Sequence, residues 1–494
     1  MKKLALGIMT LAIIAASMPM TAFAQGSWVI TQLNANTGNG IRPRIDGGYV
    51  VWQGHDGHDF EIYLYDGTGV TRVTDNESSD TSSMINGGSV VWYGYDEQDN
   101  EIYLYDITSR STTQLTNNSY PDISPQVDGD KVVWQGYIDG DYEVFLYDIA
   151  TQNTIQLTNN SYADEFPRIN GDKVVWQGFD GHDFEIFLYD IASQITTQIT
   201  NNAYLDQGPA TDGSKVAWTG YDGHDDEIFL YDIASATTKN VSNNDFADSQ
   251  SLDIDGGMVV WFGWSDVTDH EIYLYDGTGT IQITDNNYND NGPRVDGGKI
   301  TFTGYDDNDG EVFIYDIGSK VTTTLTDNNY GDYVSQIDDG TVVWYTMDVD
   351  VFNIFMAQQP GALKIFKFED KNWNSVKDPT ESVLPGWEFK ITGPGGYNSS
   401  CITDASGLIE LSNLLPGAYT VTEIPKPGGW VPTNGPGTRV EAVTPGGITT
   451  IEFGNEILPQ TPAFSNLSVG LLIGGFAGIM MFLILRKRKP RLQI

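Results

Sequence analysis

The sequence predicts an all-β chain: an eight-bladed β-propeller closed by the N-terminal strand, then a small β-sandwich, then a C-terminal transmembrane helix. Three observations predict it. A tryptophan recurs roughly every 42 residues through the first two thirds of the chain. After residue 360 the texture changes to short strands with Pro-Gly and Gly-Gly turns. Near the C-terminus lies a single long apolar stretch without charge.

The chain opens with Lys2 and Lys3, an apolar run from Leu4 to Ala16, and the small-residue pattern Ala22-Phe23-Ala24. That layout is a signal peptide over residues 1–24, so the mature chain should begin near Gln25 outside the cytoplasm. At the other end, Leu467 to Leu485 can cross a bilayer and runs directly into Arg486-Lys487-Arg488-Lys489. The expectation is a single membrane span over 467–485 with a basic cytoplasmic tail, 486–494, and a protein displayed at the cell surface.

Between these ends the chain is acidic, with 26 Lys and Arg against 67 Asp and Glu and a net charge of −41. Nucleic acid is excluded as a partner, because binding it needs the opposite sign. Cys401 is the one cysteine, so no intrachain disulfide can form. Stability has to come from burial and strand pairing, and a monomer is expected.

The repeat runs through Trp52, Trp92, Trp134, Trp176, Trp218, Trp261, Phe302 and Trp344, with a second register of Tyr-Asp pairs from Tyr65-Asp66 to Tyr315-Asp316. One unit reads Phe166-Pro167-Arg168-Ile169, Lys173-Val174-Val175-Trp176, Glu185 to Tyr189, then Thr197-Gln198-Ile199-Thr200. Short β-branched and aromatic runs between Gly, Asn and Asp turns are strands rather than helices. Small twisted sheets packed radially protect edges that one long open sheet would leave exposed. The last unit, around Asn353-Ile354-Phe355, lacks a fourth strand, and Trp28 to Leu33 matches one. Pairing the two would close a ring over residues 25–357.

Units such as Ser124 to Asp130 with Glu143-Val144-Phe145-Leu146-Tyr147-Asp148 resemble TolB-like propeller repeats. The resemblance covers residues 28 to 357, with eight units where TolB has six and no separate N-terminal domain. After a linker at 358–361, residues 362–457 read as a β-sandwich. Asp404-Ala405-Ser406-Gly407, Leu414 to Glu423 and Phe453-Gly454-Asn455 resemble SdrD B-like and Cna B-like prealbumin-type modules of surface proteins. Cna B-like modules can carry a Lys-Asn isopeptide bond assisted by an acid, and the resemblance places Glu423 and Asn455 there with Lys364 or Lys367. Within a second linker, 458–466, Leu458-Pro459-Gln460-Thr461-Pro462 is similar to a sortase sorting signal, with Pro462 in place of Gly.

Two candidate sites follow. In the sandwich, Asp370, Asn372, Asn374, Asp378 and Glu381, with the Val376 carbonyl, have the oxygen spacing of an EF-hand loop, and Ser375 stands where glycine is usual. Calcium is the expected cofactor there, and none is expected for the propeller. In the propeller, the loops between second and third strands and the links between blades share a face. The loops repeat two aspartates and a glutamate, as in Asp56, Asp59, Glu61 and in Asp180, Asp183, Glu185. The links repeat an aromatic and an aspartate: Tyr120 and Asp122, Tyr162 and Asp164, Tyr204 and Asp206, Tyr288 and Asp290, Tyr330 and Asp332. Aromatic area beside oxygen acceptors suits an extracellular glycan or protein ligand, whereas Asp that recurs in every blade also fixes turns.

Catalysis finds little support. The five histidines, His55, His58, His182, His224 and His270, fall in or beside the acidic loops, and no nucleophile-elbow or zinc-protease motif appears. The expectation is a non-catalytic surface protein for adhesion or ligand binding. A polysaccharide-active propeller such as a lyase, or a structural envelope component, is the alternative.

Overall fold

Within the repeat region, each unit becomes one antiparallel sheet whose four strands follow chain order. In the fourth unit the strands are Asp164–Asn170, Lys173–Phe179, Phe184–Asp190 and Ile195–Gln198. The computed structural model describes residues 22–25, 28–35, 39–265, 269–348 and 351–457. The expected membrane span at 467–485, the sorting-like motif and most of the expected signal peptide lie outside the described residues. Seven repeat sheets have four strands each, and an eighth has the order Ala22–Gln25, Trp28–Gln32, Val351–Gln358, Thr341–Asp348, Gly331–Asp338.

The burial gradient follows from the radial arrangement. Second strands are nearly all buried, as in Lys173–Phe179, whereas the fourth strands Ser111–Gln114, Asn153–Gln156 and Ile195–Gln198 are exposed at every position. First strands of successive sheets touch one another all the way round, including the eighth back to the first. They therefore surround a central axis. Cores form between sheets: Val91, Ile102 and Leu104 of the second pack on Val127, Val132 and Trp134 of the third. The same kind of cluster joins Val343, Ile354 and Met356 to Ile45, Val50 and Trp52 across the closing seam.

The seam is closed as the sequence suggests. Val29 pairs with Gln358 and Gln32 with Phe355, and Leu33 N–H continues the ladder to Ile354 O at 2.8 Å. The fourth strands sit about two residues earlier than read from sequence. Beyond Ile199 a side chain replaces the ladder, because Thr200 Oγ1 accepts the Ile186 N–H at 2.8 Å.

The second unit is a sandwich of two four-stranded sheets. Its first and last strands, Gly361–Glu369 and Ile448–Ile457, pair in parallel. Leu363, Ile365, Trp387, Phe389, Tyr419, Val421 and Phe453 fill the space between the sheets. Cys401 is a free thiol.

Asn34 is the polar latch of the seam. It is 3% exposed, donates to Phe352 O at 2.9 Å and accepts the Ile354 N–H at 2.8 Å. Asn34→Ala leaves buried backbone groups unpaired and should cost about 1–3 kcal/mol. Urea unfolding of the full chain checks this, and an unchanged midpoint would deny the latch its role.

Candidate functional site

A hydrogen-bond relay repeats on the loop face of the propeller. Glu101, at the start of a third strand, is fully buried and accepts the Asn118 N–H at 2.7 Å. Asn118 accepts the Tyr120 N–H at 2.9 Å and donates to Asp122 Oδ2 at 2.6 Å. Asp122 Oδ1 then accepts Trp134 Nε1–H at 3.0 Å, in the core of the next sheet. The relay recurs as Glu143, Asn160, Asp164 and Trp176, as Glu185, Asn202, Asp206 and Trp218, and as Glu311, Asn328, Asp332 and Trp344.

This arrangement divides the aromatic and aspartate pairs expected to act together. Asp122, Asp164, Asp206, Asp290 and Asp332 are buried, and the first three and Asp332 are committed to an indole. They hold neighbouring sheets together and do not face water. Their tyrosines do: Tyr162 and Tyr204 are 44% exposed, Tyr330 45% and Tyr288 38%. Tyr120 is half-buried, stacked on Phe145 at 6.4 Å. Two residues missed by sequence reasoning complete the relay. One is the asparagine two places before each tyrosine. The other is the glycine two after the tryptophan in every relay but the last, where Thr346 stands instead; a Cβ at Gly136 would lie 2.4 Å from Asp122 Oδ1. The recurring W-x-G spacing was the available signal.

The exposed rings have company. Tyr162 meets Phe179 edge-on at 5.7 Å, and Tyr204 meets Tyr221 at 5.4 Å. Tyr288 Oη donates to Asp307 at 2.7 Å. Beside Tyr162 an open cleft of about 470 Å³ is lined by Asp139, Asp141, Phe179 and Phe184.

In the acidic loops, the first aspartate fixes the turn: Asp180 Oδ1 accepts the His182 N–H at 2.9 Å. The carboxylates nonetheless converge, with ligand oxygens within 4.8 Å in Asp56, Asp59, Glu61, in Asp180, Asp183, Glu185 and in Asp222, Asp225, Glu227. In the first unit Arg72 fills the cluster, 2.8 Å from Asp56 Oδ2 and 2.5 Å from Glu61 Oε1. Burial first, then the charge of Asp180, pushes the Asp183 carboxyl above its ordinary range.

In the sandwich, the Asp370 to Glu381 loop folds inward on its own oxygens. Asp370 is fully buried and accepts the N–H groups of Asn374 and Ser375 at 3.1 Å. Glu381 accepts those of Lys371 at 2.8 Å and Asp378 at 2.9 Å. Ser375 adopts φ 68°, the left-handed turn that glycine ordinarily supplies at this loop position. Asn372 and Asn374 donate to Asp378 Oδ2 at 2.6 and 2.9 Å. Val376 is exposed.

A second cluster lies in the sandwich core. Lys367 is fully buried and Glu423 and Asn455 nearly so. Asn455 Nδ2 donates to Glu423 Oε1 at 2.5 Å. Lys367 Nζ lies 3.2 Å from the same oxygen as an ion-pair contact, without hydrogen-bond alignment. It sits 4.7 Å from the Trp387 ring centre. Burial lowers the Lys367 ammonium to about 8. Of the two lysines considered, Lys364 instead points outward to Glu410 at 2.7 Å.

Residues 371–457 match the SpaA prealbumin-like fold domain. No curated protein matches the sequence. Among solved structures, Porphyromonas gingivalis dipeptidyl peptidase 4 aligns with TM-score 0.50 at 13% identity, over 78% of this chain and 65% of that one. The β-propeller domain of the Trilobed protease from Pyrococcus furiosus aligns at 0.43 and 13%, over 57% and 93%. TolB from Acinetobacter baumannii aligns at 0.34 and 14%, over 57% and 60%. The chain thus spans less than two thirds of the length of the dipeptidyl peptidase and of TolB.

One expectation is corrected by these likenesses. Absence of catalysis was inferred from missing motifs, yet the similar solved structures are mainly peptidases, the dipeptidyl peptidase at TM-score 0.50 among them. A propeller of this kind is therefore no argument against an enzyme. At 10% to 14% identity the likeness establishes fold and not activity.

The buried aspartates make stability depend on pH. Burial raises Asp80 and Asp164 to about 6, and Asp122, Asp248 and Asp290 to about 7, above the roughly 3.9 of an unfolded aspartate. Their contribution is complete below about pH 4 and is lost as pH rises through 6 to 7. Asp190, bonded to Lys173, and Asp232, bonded to Lys215, sit near 2 and lose theirs only as pH falls from about 4 towards 2. The thermal midpoint should therefore climb as pH is lowered from about 8 to 5. Calorimetry across that range checks it, and a falling midpoint would contradict the buried relay. Sheets, seam and matched domain together make this chain a β-propeller followed by a prealbumin-type module.

Proposed function

We propose that this is an exported cell-surface protein whose eight-bladed propeller offers an aromatic-lined loop face to an extracellular glycan. The observation that carries the reading is the set of water-facing rings at Tyr162, Tyr204, Tyr288 and Tyr330, with the Tyr162 cleft between carboxylates Asp139 and Asp141. Flat apolar faces stack on sugar rings, and carboxylate oxygens accept their hydroxyls. Residues 1–24 direct export, residues 467–485 anchor the chain, and the prealbumin-type module is the spacer. A glycan array probed with the full chain should give one defined class of sugar, with binding weakened about tenfold or more by Tyr162→Ala. An array without binding, or one from which a product is released, sinks adhesion as the role.

The spacer is braced twice. Calcium would be held by Asp370, Asn372, Asn374, the Val376 carbonyl and Glu381, with Asp378 completing the set. A hard cation in this oxygen-rich loop ties the first strand of the sandwich to the segment entering its second sheet. Chelation should lower the melting temperature of the full chain, and Asp370→Ala should abolish the response to added calcium. If wild type and variant melt alike in both conditions, the loop holds no ion.

The second brace is covalent. The neutral Lys367 amine attacks Asn455 Cγ, a C–N bond forms, and the asparagine amide nitrogen leaves as ammonia. Glu423, in contact with both groups, takes the proton from Nζ and returns it to the leaving group. Support comes from the shared Glu423 oxygen and from the low ammonium pKa that burial imposes on Lys367. The intact protein should weigh one ammonia less than its sequence, whereas Glu423→Ala should carry the full mass. A wild-type chain of full mass removes the brace.

A further inference from the structure

The cleft beside Tyr162 lies where two departures from the repeat meet. In five of the other sheets the loop between second and third strands opens on an aspartate that caps its own turn. Asp56, Asp96, Asp180, Asp222 and Asp306 each accept the N–H two residues on, at 2.7 to 3.0 Å. The third sheet has Ile138 at that position. Its strands Lys131–Ile138 and Asp141–Asp148 stay paired up to Ile138 opposite Asp141, so that Asp139 and Gly140 alone make the turn. Both are left-handed, with φ 55° and 113°, as a two-residue hairpin of this kind requires. A turn this tight needs no side-chain cap. The Asp139 and Asp141 carboxylates accept no hydrogen bond from the described residues and form no ion pair with them.

The second departure is a ring. Phe184 pairs with Phe179 at the mouth of the fourth sheet's hairpin. The same position holds Asn100 in the second sheet, Asp226 in the fifth and Gly310 in the seventh. Phe184 meets Phe179 at 5.5 Å with the planes 68° apart, and Phe179 meets Tyr162 at 5.7 Å and 61°. Rings inclined in this way make the corner of a box rather than one flat platform. Tyr162 is also fixed from behind. Asn160 Oδ1 accepts its N–H at 2.8 Å, and a Cβ at Gly181 in the adjoining loop would lie 3.0 Å from its hydroxyl oxygen. Little side-chain freedom is therefore left to lose on binding.

Charge decides what such a box accepts. Among the described residues that line the cleft there is no lysine, arginine or histidine, and both charged members, Asp139 and Asp141, are acids. A neutral sugar would leave the two anions uncompensated, and a carboxylated or sulfated one would be repelled. An ammonium is drawn to both carboxylates and to the negative faces of the rings as well. The net charge of −41 favours its approach. At about 470 Å³ the cleft falls within the roughly 300–1,000 Å³ of small-molecule sites.

We propose that the Tyr162 cleft binds its carbohydrate through a protonated, unacylated amino group, so that the ligand class is an amino sugar with a free ammonium. This inference rests on the glycan reading of the loop face and narrows it. The rings of Tyr162, Phe179 and Phe184 supply stacking area to the sugar and π density to its ammonium, whose N–H groups donate to Asp139 and Asp141. An N-acetylated sugar has no charge to offer and loses that half of the recognition.

The test is titration calorimetry of the full chain at constant ionic strength, at a pH that keeps sugar amines protonated. The probes are the β-1,4-linked tetramers of glucosamine, N-acetylglucosamine and glucose, and a capped tetralysine, which carries the charge of the first without its rings. The glucosamine tetramer should bind about tenfold or more tightly than each of the others. Asp139→Asn, which keeps a residue suited to the left-handed turn, and Asp141→Asn should each remove most of that preference and leave neutral sugars unaffected. Asp245→Asn, at an exposed acid of another link, should keep the preference. Several results would overturn the cationic class: no binding of the glucosamine tetramer, equal binding of the glucose tetramer or tetralysine, a preference unaltered in both cleft variants, or an equal loss in Asp245→Asn. If one cleft variant fails to fold, the other decides. The glycan reading itself falls only if the array, too, yields no sugar.

Discussion

The buried carboxylate between each link and the next sheet's tryptophan is the constraint on which the propeller depends. An isolated four-stranded sheet has two apolar faces and cannot cover either alone. Packing against a neighbour covers them, but packing is not directional and would allow sheets to slide. The Asp-to-indole bond is directional, and the asparagine between glutamate and aspartate ties it to the preceding sheet. Each sheet is thus located relative to its neighbour by hydrogen bonds that water cannot replace once the interface is dry.

The two places where this pattern lapses are informative. In the first sheet Gly40 stands where the aspartate would be, and a Cβ there would come within 2.8 Å of the Trp52 ring. Trp52 Nε1 is left without an acceptor. In the seventh sheet Phe302 replaces the tryptophan, so Asp290 has no indole to accept from and keeps its asparagine at 2.7 Å. Either sheet has lost one half of the lock. The first keeps the contacts that other sheets also make with their predecessor: Gln336 Oε1 accepts the Ile45 N–H and Asp338 the Gly47 N–H, as Asp253 accepts the Val295 N–H and Asp46 the Gly87 N–H.

Much of the architecture was legible because repetition averages out local ambiguity. One Trp-x-Gly fixes nothing, but six of them, with Phe302 and Trp344 continuing the series at nearly the same interval, define a unit, its strands and its missing member. What could not be read was burial. Asp122 and Asp164 occur in polar link segments beside exposed tyrosines, and residue type alone places them at the surface. Only packing reveals that a tryptophan twelve residues later reaches back for their oxygens. In the sandwich the acidic and amide partners were legible through resemblance, but the choice between Lys364 and Lys367 required the alternation of the strand: Lys367 faces the core and Lys364 the solvent.

The closing strand also decides how the molecule carries load. The chain leaves the propeller through Val351–Gln358, which is flanked on one side by Thr341–Asp348 and on the other by Trp28–Gln32. Tension applied through the prealbumin-type module therefore pulls along a central strand and is borne in shear by two ladders at once. A ring closed by four consecutive strands of one hairpin series would have the following module attached to an outer edge, and the same pull would unzip it one bond at a time.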